Sequence, residues 1–306
     1  MPLPFSPATL LRHSSGWRPV RTAATSSSAG ATLQQQQGRV YLVTGSTDGI
    51  GLHTATKLAQ AGATVLVHGR SKERVDRAVA SICKAAGNSS SSSSVKGYTA
   101  DLSSLADVRQ LAAAVQADHP QLYALVNNAG VYETQKKLSA DGFENTWAVN
   151  VLAPFLLTSL LWQSVQGRIV NTASISAASH IDMANLQQER GYSAHDAYSL
   201  SKLCNIIFTL KLAELLQQQG SSVTANTLDP GTVNTKMLLA GWGRIGIDIG
   251  SANNTFKLLT DPNVADITGG YFISHRKSSP PSIAEDPLVQ QQLWQLWQQQ
   301  TGASYI

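Results

Sequence analysis

Cysteine is scarce in this chain, with only Cys83 and Cys204 among 306 residues. Two distant thiols supply neither a disulfide framework nor the clustered spacing of a metal site, so no metal centre is expected. Charge is sparse too, at 14% of residues against 42% hydrophobic, which describes a globular chain and not a disordered one. No run approaches the ~18 consecutive apolar residues of a membrane-spanning helix, so no transmembrane helix is expected. Acidic residues are missing altogether before Asp48, whereas Arg12, Arg18, Arg21 and Arg39 all lie in that stretch. With those four set aside, the 23 basic residues fall to 19, equal to the 19 acidic ones. The net charge of +4 thus marks one end of the chain and not a basic face, and no nucleic-acid partner is expected.

Residues 1–37 are rich in Ser, Ala, Thr and Arg and carry no carboxylate, the composition of an organelle transit peptide. They lack the apolar core of about 7–15 residues that a secretory signal needs. Composition does not separate chloroplast from mitochondrion. A serine-rich insert at 88–94 reads as an exposed loop.

Between these segments, apolar β-branched runs alternate with helical patterns. Strands are expected at 39–44, 63–68, 95–100, 122–127, 167–173, 222–228 and 269–274. Helices are expected at 49–61, 72–86, 104–117, 141–165 and 195–219. This rhythm predicts an α/β fold, a single Rossmann-type doubly wound parallel sheet with helices on both faces. The dinucleotide-binding domain is placed at 38–275, followed by a C-terminal extension, 276–306, with a peripheral helix. The Leu and Trp spacing of that helix reads as a core-facing stripe.

"TGSTDGIG" follows the first strand and opens the first helix. Its Gly45, Gly49 and Gly51 let backbone approach a pyrophosphate at the helix N-terminus, with Ser46, Thr47 and Ile50 in the same turn. Asp101 and Leu102 end the third strand, where a carboxylate can meet an adenine edge. Asn128, Ala129 and Gly130 of "NNAG" end the fourth. These loops line one crevice in this architecture. At the end of the second strand, where an acid commonly holds the ribose of NAD, stands Arg70 in "VHGRSKER". A guanidinium there suits the 2′-phosphate of NADP(H), with Asp48 as a contrary charge.

Two Tyr-x-x-x-Lys pairs compete for a catalytic role. Tyr132 and Lys136 lie in a stretch without helical periodicity. Tyr198 and Lys202 open "YSLSKLCNIIFTLKLAELL", a helix that puts residues four apart on one side. Upstream, Ser174 ends the fifth strand in "IVNTASIS", and Asn150 lies in the preceding helical pattern. The helical spacing therefore favours the Tyr198 pair over the Tyr132 pair.

"TGSTDGIG", "NNAG", Asn150, Ser174, "YSLSK" and "DPGTV" in that order resemble the short-chain dehydrogenase/reductases across residues 39–275. Within them, "RIVNTASISA", the long gap to Tyr198 and "DPGTVNT" are most similar to the retinol dehydrogenase-like group, which includes plant and chloroplast-envelope members. That likeness puts chloroplast ahead of mitochondrion. The resemblance implies Asn150, Ser174, Tyr198 and Lys202 as a catalytic tetrad, with Pro230, Gly231, Thr232 and Val233 beside the nicotinamide. Tyr198 would exchange a proton with the substrate oxygen, its phenolate favoured by Lys202 together with the positive nicotinamide of the oxidised cofactor. Ser174 would hydrogen-bond that oxygen, and Asn150 would hold a relay water. The implied activity is NADP(H)-dependent hydride transfer to or from a small hydrophobic carbonyl or alcohol. Residues 232–255, with Met237, Leu238, Leu239 and Trp242, read as a lid, and 179–195 as a second lining segment. The rivals are a cofactor-binding sensor or scaffold and a protochlorophyllide reductase-like enzyme. A homo-oligomer is compatible with all three.

Overall fold

A computed structural model describes residues 36–87 and 94–305, so all of the leader at 1–37 except its last two residues, and most of the serine insert, lie outside the described residues. Gln36 is buried and accepts from Arg39 and the Tyr41 hydroxyl, so the boundary after residue 37 takes a residue of the folded domain into the leader. Strands β1 (Val40–Val43), β2 (Thr64–Gly69), β3 (Val95–Thr99), β4 (Leu122–Asn127), β5 (Val165–Thr172), β6 (Thr224–Asp229), β7 (Gly270–Ile273) and β8 (Arg276–Ser278) form one sheet. Their order is β3-β2-β1-β4-β5-β6-β7-β8, parallel throughout except for β7 against β8. This is the expected doubly wound architecture. The strand order reverses between β1 and β4, and a crevice opens there at the carboxyl ends of the strands.

Alternate residues of each strand feed two separate cores. Leu42, Leu66, Leu125 and Ile169 face one side, packed under α3 (Leu105–Asp118), α4 (Ala153–Leu161) and α5 (Ala194–Gln218). Tyr41, Val43, Val65, Val67 and Val126 face the other, under α1 (Gly49–Gln60), α2 (Lys72–Ala85) and α7 (Asn254–Thr260). Each fully buried Val or Leu stabilises by roughly 1.5–3 kcal/mol. Such all-apolar strands are stable only when covered on both faces.

Two elements depart from expectation. The helical pattern at 141–165 is not continuous: Asn145–Trp147 leads into a π-turn, Ala148–Leu152, before α4 begins. The C-terminal segment is no extension. β8 pairs with β7, and α8 (Pro287–Thr301) buries Leu293, Trp294 and Trp297 in the core beneath α5. Phe155 of α4 touches the rings of Trp294, Trp297 and Tyr305 at 5.0, 5.5 and 5.1 Å. The boundary after residue 275 therefore cuts through the folded unit. Among the described residues, no helix is long and apolar enough to cross a membrane.

Candidate active site

The strand-end loops converge on one cavity of about 560 Å³. Gly45, Thr47, Gly49, Ile50 and Gly51 form its floor at the N-terminus of α1, where the Asp48 carboxylate caps the Gly49 amide at 2.8 Å. Gly45 has a φ of +64°, and a Cβ there would lie 2.8 Å from the Ala129 Cα. A Cβ on Gly51 would run into the Asn128 side chain and the Gly45 carbonyl. The hydroxyl of Thr44 stitches the loops together, accepting from the amides of Asn128 and Ala129 at 3.0 Å each. Asp101 and Leu102 line one end of the cavity, and Asn128, Ala129 and Gly130 line its middle. Ser46 does not face it. Fully buried, Ser46 donates to the Val43 carbonyl at 2.7 Å and accepts from the His68 amide at 3.0 Å, bracing β1 to β2.

His68 was not singled out from sequence. Its Nδ1 accepts the Gly45 amide at 3.2 Å and its Nε2 meets the Ala100 carbonyl at 3.2 Å. Burial pulls its pKa down to about 4, so it stays neutral and can keep that acceptor. Arg70, exposed, and Arg74 sit at the cavity rim. The contrary charge of Asp48 is answered by Arg74 at 3.4 Å and Lys236 at 2.6 Å. Partial burial would raise this carboxyl, but Lys236, the Gly49 amide and Arg74 hold it below its usual value. A glycine cradle, a helix N-terminus and two rim guanidiniums fit a nicotinamide dinucleotide carrying phosphate at the ribose.

At the opposite end lie Ser174, Tyr198 and Lys202, with Pro230, Gly231, Thr232 and Val233 beside them. Tyr198 and Lys202 are one turn apart on α5, and the Lys202 ammonium lies 5.5 Å from the Tyr198 ring centroid. Lys202, 2% exposed, donates to the Thr172 carbonyl at 2.8 Å. Burial pulls its pKa down to about 8, opposed by the Asp229 carboxylate. Burial also pushes the Tyr198 phenol up to about 12; a hydrogen bond with Ser174 acts against this rise and Asp229 adds to it. The expected lowering includes the positive nicotinamide of the oxidised cofactor; in the protein alone desolvation dominates.

Asn150 stands one layer behind the cavity wall, at the middle of the π-turn. Its Oδ1 accepts the Val131 amide at 2.8 Å, while Nδ2 donates to the Val131 carbonyl and the Ser201 hydroxyl, each at 3.0 Å. A Cβ at Gly130 would lie in ordinary contact with Asn150 Oδ1 at 3.4 Å and Lys202 Nζ at 3.5 Å. Asn150 and Lys202 thus flank the same point. The π-turn turns the Asn150 side chain toward it, as such bulges commonly do at functional sites.

The second Tyr-x-x-x-Lys pair is split, with Lys136 donating to the Gln188 carbonyl at 2.9 Å. The ring of Tyr132, however, packs on Tyr198 at 5.6 Å and on Trp242 at 5.0 Å. Met237, Leu238, Trp242 and Ile245 wall the cavity from α6 (Lys236–Gly241) and the turn after it, whereas Leu239 faces outward. The segment 179–195 does not line the cavity. It packs on the 131–145 loop, through Tyr192 to the Glu133 carbonyl and Gln187 to the Glu144 amide, and at its end His195 meets the ring of Trp242. Asp229 and Thr172, both cavity residues, were not assigned from sequence. Their signal was positional, since each ends a strand at the crevice.

A doubly wound sheet with a glycine-rich cradle at its switch point, and a Tyr–Lys pair facing that cradle, defines a nicotinamide-dependent oxidoreductase. Residues 39–240 match the family described as short chain dehydrogenase. The chain is 32% identical to human polyprenol dehydrogenase over 286 residues, covering 86% of this chain and 85% of that one. It is 33% identical to human retinol dehydrogenase 13 over 287 residues, with 84% and 82% covered. A solved structure of an uncharacterised Mycobacterium paratuberculosis protein superposes with a TM-score of 0.74 at 26% identity, covering 88% of this chain and 96% of that one. A blue fluorescent protein from a metagenomic library, in complex with NADPH, superposes at 0.63 with 26% identity, covering 78% and 97%. The chain belongs to the short-chain dehydrogenase family and is an oxidoreductase acting on alcohol and carbonyl groups.

Proposed function

We propose that this protein is an NADP(H)-dependent oxidoreductase that interconverts a hydrophobic alcohol and its carbonyl, with Tyr198 as general acid/base. The observation that carries the reading is one crevice with guanidiniums at one end and Ser174, Tyr198 and Lys202 at the other. Arg70 and Arg74 match the extra phosphate of NADP(H), and the metagenomic relative binds NADPH. The apolar wall of Met237, Leu238, Trp242 and Ile245 suits an apolar substrate, in keeping with relatives named for polyprenol and retinol.

When bound, the cofactor supplies or accepts the hydride. The Tyr198 hydroxyl gives its proton to the substrate oxygen in reduction and takes it back in oxidation. Ser174 donates a hydrogen bond to that oxygen as charge grows on it. Lys202 adds a positive charge beside the phenol, and Asn150 holds the Val131 backbone at the cavity wall.

The test is turnover of purified protein with NADPH against apolar aldehydes and ketones, and with NADP⁺ against retinol and polyprenol. Tyr198→Phe should lower kcat by roughly 10²–10⁴-fold while NADPH still binds. Arg70→Asp should weaken NADPH by about 1.5–3 kcal/mol and spare NADH. Tight NADPH binding without turnover of any substrate would favour a sensor instead. For residues 1–37, the acid-free composition supports import into an organelle, chloroplast ahead of mitochondrion. Imaging a full-length fluorescent fusion tests this, and a purely cytosolic signal would count against it.

A further inference from the structure

Asp229 is a buried carboxylate to which neither the family resemblance nor the proton path above gives a task. It is 4% exposed at the end of β6, in the middle of the sheet. Its neighbour Leu228 faces the core under α1 and α2, so strand alternation turns Asp229 to the other side, where α5 carries Tyr198 and Lys202. Both carboxylate oxygens are used. Oδ1 accepts the amide of Ile175 at 3.1 Å, and Oδ2 accepts the amide of Gly231 at 3.0 Å. The first bond anchors the loop that begins at Ser174. The second anchors the loop that runs into Thr232, where Gly231 takes a φ of +96°.

We propose that Asp229 is a positioning residue for this site, clamping the Ser174 loop to the Gly231–Thr232 loop and placing a carboxylate on the same side of the sheet as Lys202. The proposal rests on the reading of Ser174, Tyr198 and Lys202 as the working groups. A serine or asparagine could make one of the two bonds; only a carboxylate accepts from both amides and carries the charge. An isolated buried charge is costly, and here two opposite charges share one side of the sheet. The titratable groups that act on Asp229 are Lys202 and Tyr198 from α5 and Tyr271 from β7. Asp229 favours the ammonium of Lys202, against burial, and disfavours the phenolate of Tyr198. It therefore keeps Lys202 charged and Tyr198 protonated when the protein is free.

The decisive measurement is a ¹³C NMR titration of the Lys202 ε-carbon in cofactor-free protein, assigned by its loss in Lys202→Met. Unaltered protein should show the main Lys202 transition near pH 8 and a smaller inflection where Asp229 ionises, above the usual carboxylate range because burial raises it. In folded Asp229→Asn the small inflection should vanish and the main transition should move to lower pH. Asp229→Ser, neutral and smaller, answers the same question if the asparagine variant does not fold. With a turned-over substrate, kcat of either variant should fall roughly 10–100-fold through loss of alignment, with NADPH affinity changed much less. No inflection in the unaltered protein, or a Lys202 transition that stays put in a folded neutral variant, overturns the coupling. An undiminished kcat overturns the clamp. The titration needs no substrate, so a protein that reduces nothing would sink the proposed activity and leave the carboxylate–ammonium coupling measurable.

Discussion

Lys202 is an ammonium held where an ammonium is costly, at 2% exposure with one carbonyl as its hydrogen-bond partner in the protein. Its folded pKa, about 8, lies below its ordinary value of 10.5. Between those two values the unfolded chain binds more protons than the folded one, so this group's contribution to stability rises with pH across that window. At pH 7 the burial is a net cost. Lys202→Met removes that cost but leaves the Asp229 carboxylate buried without an opposite charge. It should abolish turnover and, in urea unfolding, lose stability relative to the parent as the pH is raised from about 8 toward 10.5. A stability difference that stays constant across that window would mean that burial does not depress Lys202. Tyr198 shows the same competition. Burial raises it in the protein without cofactor, against the lowering expected from Lys202 and an oxidised nicotinamide together. Spacing reports who stands near whom; it does not report how much water is lost.

Among elements, α8 shows how a stripe becomes core. Asp286 caps it, accepting from the Leu288 amide at 2.8 Å, Pro287 begins it, and Gly302 ends it at a φ of +63°. Trp297 is fully buried against Phe155 and Phe208, which makes α8 a wall of the fold beneath α5. Trp297→Ala should cost about 3–5 kcal/mol in urea or thermal unfolding. Leu288→Ala, on the same helix but 69% exposed, should change stability by less than about 0.5 kcal/mol. Equal effects from the two would show that α8 does not pack as described. The stripe itself was readable, because Leu and Trp recur at helical spacing. What it packs against was not, since Phe155 and Phe208 lie far away in the chain. The π-turn at Ala148–Leu152 was equally hidden, because 141–165 has ordinary helical periodicity.

For the molecule as a whole, local chemistry was enough to determine the architecture and most of the crevice. Apolar β-branched runs alternating with amphipathic helices leave a doubly wound sheet as the arrangement that covers both strand faces, and glycines after the first strand mark where a phosphate can approach. Those features act over a few residues, so they survive in the linear order. The order of Ser174, Tyr198 and Lys202 was legible for the same reason, each standing at a strand end or on one helix face. Tertiary structure alone decided the rest. Ser46 turned inward to brace two strands, and Asn150 went behind the wall. Tyr132 lost its lysine and joined the aromatic wall, and the 179–195 segment packed away from the cavity. Asp48 acquired two cations, one from α2 and one from α6, and Asp229 became a clamp between two loops. Each of these depends on contacts between residues distant in sequence, and on how much water those contacts remove, and neither quantity is a property of any short stretch of chain.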